Sequence, residues 1–107
     1  MYKIKLTEIA SEYIRSVDKK SQQQIIEKIE ALQEEPLKIG KQLKGNLKDY
    51  RSIRSIGQKY RIIYQVNTNE IIVLIVAVGI RKEGDKKDIY ELMKKYIKIG
   101  ILKEEKS

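Results

Sequence analysis

The sequence predicts an α+β fold with the element order β-α-α-β-β-β-α: an antiparallel sheet packed on an N-terminal helical hairpin, with a C-terminal helix after it. Three observations predict it. Apolar residues recur at helical spacing between residues 8 and 35. Three runs rich in isoleucine, valine and tyrosine, separated by short turn signals, follow between residues 50 and 78. A final helical pattern over residues 86–98 ends just before a glycine.

Each element has a local reason. Lys3 and Lys5 alternate with Tyr2, Ile4 and Leu6, which marks a first strand. Thr7 fits the N-cap of a helix over Glu8–Ser16, whose inward stripe is Ile9, Tyr13 and Val17. Asp18 or Ser21 caps a second helix, with Ile25, Ile26, Ile29 and Leu32 facing inward and Pro36 stopping it near Glu35. The short joint makes the pair a helical hairpin. Lys38–Asp49 reads as a basic loop holding Gly40 and Gly45. The three strands are Tyr50–Arg54, Tyr60–Val66 and Ile71–Val78. Gly57 turns the first into the second, and Asn67-Thr68-Asn69 turns the second into the third, giving an antiparallel meander. The last helix runs over Lys86–Lys98 with Ile89, Leu92, Met93 and Tyr96 inward, and Gly100 ends it. Residues 1–98 form one domain and 99–107 a short C-terminal tail.

Composition narrows the chemistry. The 107 residues are 41% apolar, enough for one modest core, and with no Phe or Trp the core must be filled by tyrosine and isoleucine. The absence of His and Cys excludes disulfides, thiolate catalysis and thiolate zinc sites, so neither a metal nor another cofactor is expected. The N-terminus lacks the apolar run of a signal peptide, and the longest apolar run, Ile71–Val78, is too short to span a bilayer. A soluble, cytoplasmic protein with no membrane partner is expected.

The net charge of +8 is unevenly placed. Residues 1–37 hold six cations and seven anions. Residues 38–61 hold eight cations (Lys38, Lys41, Lys44, Lys48, Arg51, Arg54, Lys59, Arg61) and only Asp49 against them. Such a block suits nucleic acid or an acidic protein segment, and equally a solubilising surface; composition does not separate the two.

Strand alternation sorts these cations. Tyr60, Ile62, Tyr64 and Val66 fit the core, and Arg61, Ile63 and Gln65 face the other way. Arg51 and Arg54 have opposite parity, so only one shares a face with Arg61, and a buried Ile53 favours Arg54. Arg81 leaves the end of the third strand. Tyr90 sits at the edge of the last helix's apolar stripe. Both Arg61 and Arg81 are expected at open positions. Guanidinium groups bind phosphate oxygens in pairs and stabilise charge that grows in a transition state, but cannot act as ordinary bases. Proton transfer in such a site falls to lysine or tyrosine.

In order, Leu43-Lys44-Gly45, Tyr50-Arg51-Ser52-Ile53-Arg54, Gly57–Val66, Val76–Lys82 and Asp88-Ile89-Tyr90 resemble the segments of the RelE/ParE superfamily of toxins from type II toxin–antitoxin modules. The resemblance spans residues 1–98. It implies a microbial RNase-like fold, a cognate antitoxin as partner in a toxin–antitoxin hetero-oligomer, and, in the RelE branch, metal-free cleavage of mRNA on the ribosome through the substrate 2′-hydroxyl. The ParE branch instead inhibits DNA gyrase, and some relatives are inactive antitoxin-binding proteins. Carried over by position, the catalytic candidates are Arg54 (or Arg51), Arg61, Arg81 and Tyr90. The nucleic-acid-binding candidates are Lys44, Lys48, Arg51, Lys59, Lys82 and Lys86. The chain departs from the RelE pattern in having arginines and a serine where two alternating lysines stand, and a longer turn at Gly57. Lys59, Lys82 or Lys86 are left as substitutes for the missing strand lysines.

Overall fold

Thr7 organises the first third of the molecule. Strand β1 (Lys3–Leu6) ends at it and helix α1 (Glu8–Ser16) begins after it. Its hydroxyl accepts from the Ala10 amide at 3.1 Å, capping α1 as expected. The same hydroxyl donates to the Val76 carbonyl at 2.6 Å, tying this corner to a strand far along the chain. Helix α2 (Lys19–Ala31) starts from Asp18, whose carboxylate accepts from the Ser21 amide at 3.0 Å. It ends short of Glu35 because the Leu32 and Gln33 amides tighten back onto the Ile29 and Glu30 carbonyls.

The computed structural model describes residues 1–100. Within it the remaining strands are β2 (Lys41–Gln42), β3 (Arg51–Ser55), β4 (Tyr60–Asn67) and β5 (Ile72–Ile80), in the sheet order β1-β5-β4-β3-β2. The expected meander β3-β4-β5 is present. Two features extend it. Strand β1 lies parallel to β5, with Lys3 beside Ile72 and Leu6 beside Ile75, so the sheet is mixed. Two residues of the expected basic loop form β2, an edge strand against Arg51 and Ser52.

The sheet is covered on both faces. On one, Ile62, Tyr64, Val73 and Ile75 pack against Ala10, Ile14, Ile25 and Leu32 of the helical hairpin. On the other, Ile63, Val76 and Ala77 pack against Leu47, Tyr50, Ile89 and Met93. Ile63 therefore faces away from the first core only to be buried in the second. A bulge makes room for this: Ile63 pairs with Ala77 but Tyr64 pairs with Ile75. Val76 is the extra residue, and it turns to the same side as Ala77. The α1 stripe is centred on Ala10 and Ile14, with Ile9, Tyr13 and Val17 at its margins, and Ile26 of α2 is 43% exposed rather than buried.

Helix α3 (Ile89–Ile99) begins three residues later than expected, after turns that include Gly84 at φ 85°, and Asp88 is its N-cap. Ile99, one residue beyond the expected end, is its last residue, and Gly100 ends it as expected, as a left-handed cap; the rest of the expected tail lies outside the described residues. A β-carbon on Gly79 would sit 2.8 Å from the Ile89 Cδ1. The missing side chain is what lets the start of α3 close onto β5.

Candidate functional site

Cross-strand register builds the site. On β3 and β4, Arg54 lies opposite Arg61, and Arg61 lies opposite Gly79 of β5. Residues paired in this way share a face. Ser52, two residues before Arg54, shares it too. This face is the one that α3 covers only in part. Arg54 is exposed and Arg61 half-buried. Two guanidiniums directly opposite each other repel, which costs stability unless an anion lies between them. Arg61 is steadied by the β3–β4 turn, its Nη1 donating to the Gln58 carbonyl at 2.9 Å.

Arg81 and Tyr90 form the other wall. Arg81 Nη1 donates to Asp88 Oδ1 at 2.6 Å, and the guanidinium carbon lies 4.7 Å from the centre of the Tyr90 ring. Such a cation–ring contact is favourable and keeps the guanidinium beside the ring. The Tyr90 hydroxyl is 3.0 Å from the Ser52 hydroxyl. Asp88 also accepts from the Lys82 amide at 2.6 Å and from the Tyr90 amide at 3.1 Å. The Asp88 side chain is only 2% exposed and that of Arg81 25%. Burial pushes the Asp88 carboxyl up, but the Arg81 hydrogen bond and charge and the Lys82 and Tyr90 amides outweigh it and hold the carboxyl below its ordinary range. The Asp88 hydrogen bond raises Arg81 in turn, against burial. Arg81 is thus not at the open position expected of it: it is half of a partly buried ion pair.

The two walls, without the buried Asp88, line one cleft of about 910 Å³ between the α3 start, the β3–β4 strands and the α2–β2 loop. Arg54, Arg61, Arg81, Tyr90 and Lys44 are brought together there, joined by Lys28, Lys38, Lys41 and Ser52. Among the residues lining the cleft, seven are cations and none is a carboxylate. Lys48, Arg51, Lys59, Lys82 and Lys86 do not line it. Arg51 lies opposite Tyr64, so its side chain is on the hairpin face, where it donates to the Leu37 and Gly40 carbonyls at 2.9 and 2.8 Å. Lys59 sits over the Tyr60 ring, 5.3 Å from its centre, and Lys82 pairs with Asp85 at 3.4 Å. Sequence reasoning named neither Ser52 nor Asp88 as part of the site. Both had a signal: Ser52 alternates with Arg54 on one strand, and an Asp immediately before an apolar helical run is an N-cap. Among the described residues no three Asp or Glu side chains gather as a metal site, and no helix is long and apolar enough to cross a membrane.

Comparison with known proteins follows the same lines. The family model for the ParE toxin of the type II toxin–antitoxin system parDE matches residues 4–84. A RelE-like toxin protein of Escherichia coli is 32% identical over 84 residues, covering 78% of this chain and 87% of that protein. A chain in the crystal structure of the toxin–antitoxin complex RelBE2 from Mycobacterium tuberculosis is similar with a TM-score of 0.68 at 26% identity, over 75% of this chain and 91% of that one. The isolated E. coli RelE toxin shares the fold, with a TM-score of 0.66 at 24% identity over 91% of this chain and 99% of that one. The ordered sequence segments, the sheet order and these matches lead to one assignment: the chain belongs to the RelE/ParE superfamily and is a toxin of a type II toxin–antitoxin system.

Proposed function

We propose that this toxin is a ribosome-dependent endoribonuclease that cuts mRNA without a metal and so inhibits translation in the cytoplasm. The observation that carries the reading is the Arg54–Arg61 cross-strand pair, which faces a cleft with no carboxylate in its lining and has Arg81 and Tyr90 on the opposite wall. A site of this composition suits a phosphodiester. In the reaction the substrate 2′-oxygen bonds to the adjacent phosphorus and the bond from phosphorus to the 5′-oxygen breaks. The products are a 2′,3′-cyclic phosphate and a 5′-hydroxyl. One proton leaves the 2′-hydroxyl and one reaches the departing 5′-oxygen. Arg54 and Arg61 bind the non-bridging oxygens, and Arg81 adds charge stabilisation as the phosphorane forms. Proton transfer falls to the Tyr90 hydroxyl and to the cleft lysines Lys41 and Lys44.

The partner in this reading is a cognate antitoxin. The relatives include toxin–antitoxin complexes, and an acidic segment laid across the cleft would neutralise its seven cations. Co-expression of the antitoxin then restores growth to cells that the toxin arrests. A second reading, gyrase inhibition without catalysis, is favoured by the ParE description of the matching family model. The two separate on purified components. Cleavage of mRNA on programmed ribosomes supports the nuclease. Intact mRNA together with blocked gyrase supercoiling replaces it with the second reading.

A further inference from the structure

We infer that Asp88 is a positioning residue that holds Arg81 and Tyr90 as one rigid unit facing the phosphate. The inference rests on the nuclease reading above and names a residue that the catalytic set does not include. Its basis is the arrangement of three donors around one carboxylate. Oδ1 accepts from Arg81 Nη1 and from the Lys82 amide, both at 2.6 Å, and Oδ2 accepts from the Tyr90 amide at 3.1 Å. The first two donors belong to the segment leaving β5, and the third to the first turn of α3. One buried side chain thus joins the two elements that carry Arg81 and Tyr90.

Capping alone does not explain an aspartate here. An N-cap needs a single oxygen directed at the Tyr90 amide, which asparagine or serine supplies equally well. The negative charge is matched by a positive one only in Arg81, while the Lys82 and Tyr90 amides also favour it. A guanidinium carries five N–H donors in a fixed plane. Asp88 takes one of them, and the Tyr90 ring lies 4.7 Å from the guanidinium carbon. The remaining donors are left for the cleft that Arg81 lines. The far end of Tyr90 is held by Ser52 at 3.0 Å. The chain Asp88–Arg81–Tyr90–Ser52 therefore spans from the start of α3 to β3 and fixes both functional groups before any substrate arrives. Preorganisation of this kind is where electrostatic stabilisation of a transition state originates.

The test uses the full-length protein and the variant Asp88→Asn, which keeps one of the two acceptor oxygens and presents no charge to Arg81. Three measurements are made: single-turnover cleavage on programmed ribosomes, the NMR signals of the Arg81 guanidinium, and retention of a 2′-O-methyl RNA oligonucleotide that cannot be cut. We expect cleavage to fall by about 10²-fold, the size of one lost transition-state contact, and Arg81 rotation to quicken. In the Arg81→Ala background the same substitution is expected to cost less than about threefold, because residues acting through one another are not additive. A loss as large in that background as in the wild type overturns the inference. So does wild-type cleavage together with unaltered Arg81 signals in Asp88→Asn. A wild type that cleaves nothing overturns the nuclease reading instead. The Arg81 signals and RNA retention then still decide whether Asp88 positions Arg81.

Discussion

The two faces of the sheet use arginine in opposite ways. Arg51 and Arg54 sit three residues apart on β3. On the hairpin face, Arg51 is committed to the chain itself. It donates to the Leu37 and Gly40 carbonyls and to Gln42 Oε1 at 3.3 Å, holding the α2–β2 loop where Tyr64, through its hydroxyl, also donates to Pro36 at 2.7 Å. On the α3 face, Arg54 is exposed and stands opposite another arginine rather than an acid. One guanidinium satisfies backbone carbonyls, and the other is left open to solvent or a ligand. The difference teaches that a count of basic residues says little about binding; the partner of each guanidinium says more.

The sharpest way to break this comparison is to remove a cation from each face. Arg61→Ala is expected to lower cleavage on programmed ribosomes by about 10²–10³ while its melting curve stays close to wild type. Cleavage that continues unchanged would move Arg61 out of the site. Arg51→Ala is expected to do the reverse. With donors to the Leu37 and Gly40 carbonyls lost, stability in a urea titration falls by about 2 kcal/mol, and cleavage per folded molecule is kept. If Arg51→Ala instead abolishes cleavage with stability intact, the division between the faces fails.

Tyr90→Phe sharpens the α3 side. It removes only the hydroxyl bond to Ser52, so the expected stability loss is about 1 kcal/mol or less. A marked fall in cleavage with so small a change in melting assigns the hydroxyl to the reaction, whereas a silent variant leaves Tyr90 as a packing residue and a platform for Arg81. A last effect is read in acid, at the Asp88 carboxyl, which the fold holds below its ordinary range. A depressed carboxyl contributes stability that is present above its unfolded value, near pH 4, and is lost as pH falls through its folded value. Wild-type stability is therefore expected to decline more steeply in acid than that of Asp88→Asn, as measured by urea titration at a series of pH values below 5. Parallel declines would show that the Arg81–Asp88 pair contributes nothing at neutral pH.

Local chemistry made much of the molecule legible. Thr7, Asp18 and Gly100 act as the caps their residue types suggest. The parity of Ile53 places Arg54 with Arg61, as the register shows. What the sequence hid was long-range. No local pattern says that Lys3–Leu6 will lie parallel to β5, or that Lys41–Gln42 will become an edge strand. The second core was obscured because Ile63 reads as an outward residue on a single-sided sheet, and the bulge at Val76 breaks the alternation that would have revealed it. Arg81 looked open because its partner lies seven residues further on, across a turn.

The place of β1 in the sheet carries a consequence for how the toxin is made. Lys3–Leu6 find their neighbour only in Ile72–Ile75, and Thr7 closes on Val76. A nascent chain presents the helical hairpin first, with Ile25, Ile29 and Leu32 facing strands that have not yet been synthesised. Contacts so distant in sequence form late, after the entropy of closing the intervening chain has been overcome. The first strand waits unpaired until the fifth has cleared the ribosome, and the cleft cannot exist before then. Any translation product that stops within the first 70 residues lacks β5, the strand that joins β1 to β4, and with it the Arg81 and Tyr90 wall of the cleft. The wall of the cleft that carries Arg81 and Tyr90 is therefore among the last parts of the chain to be made.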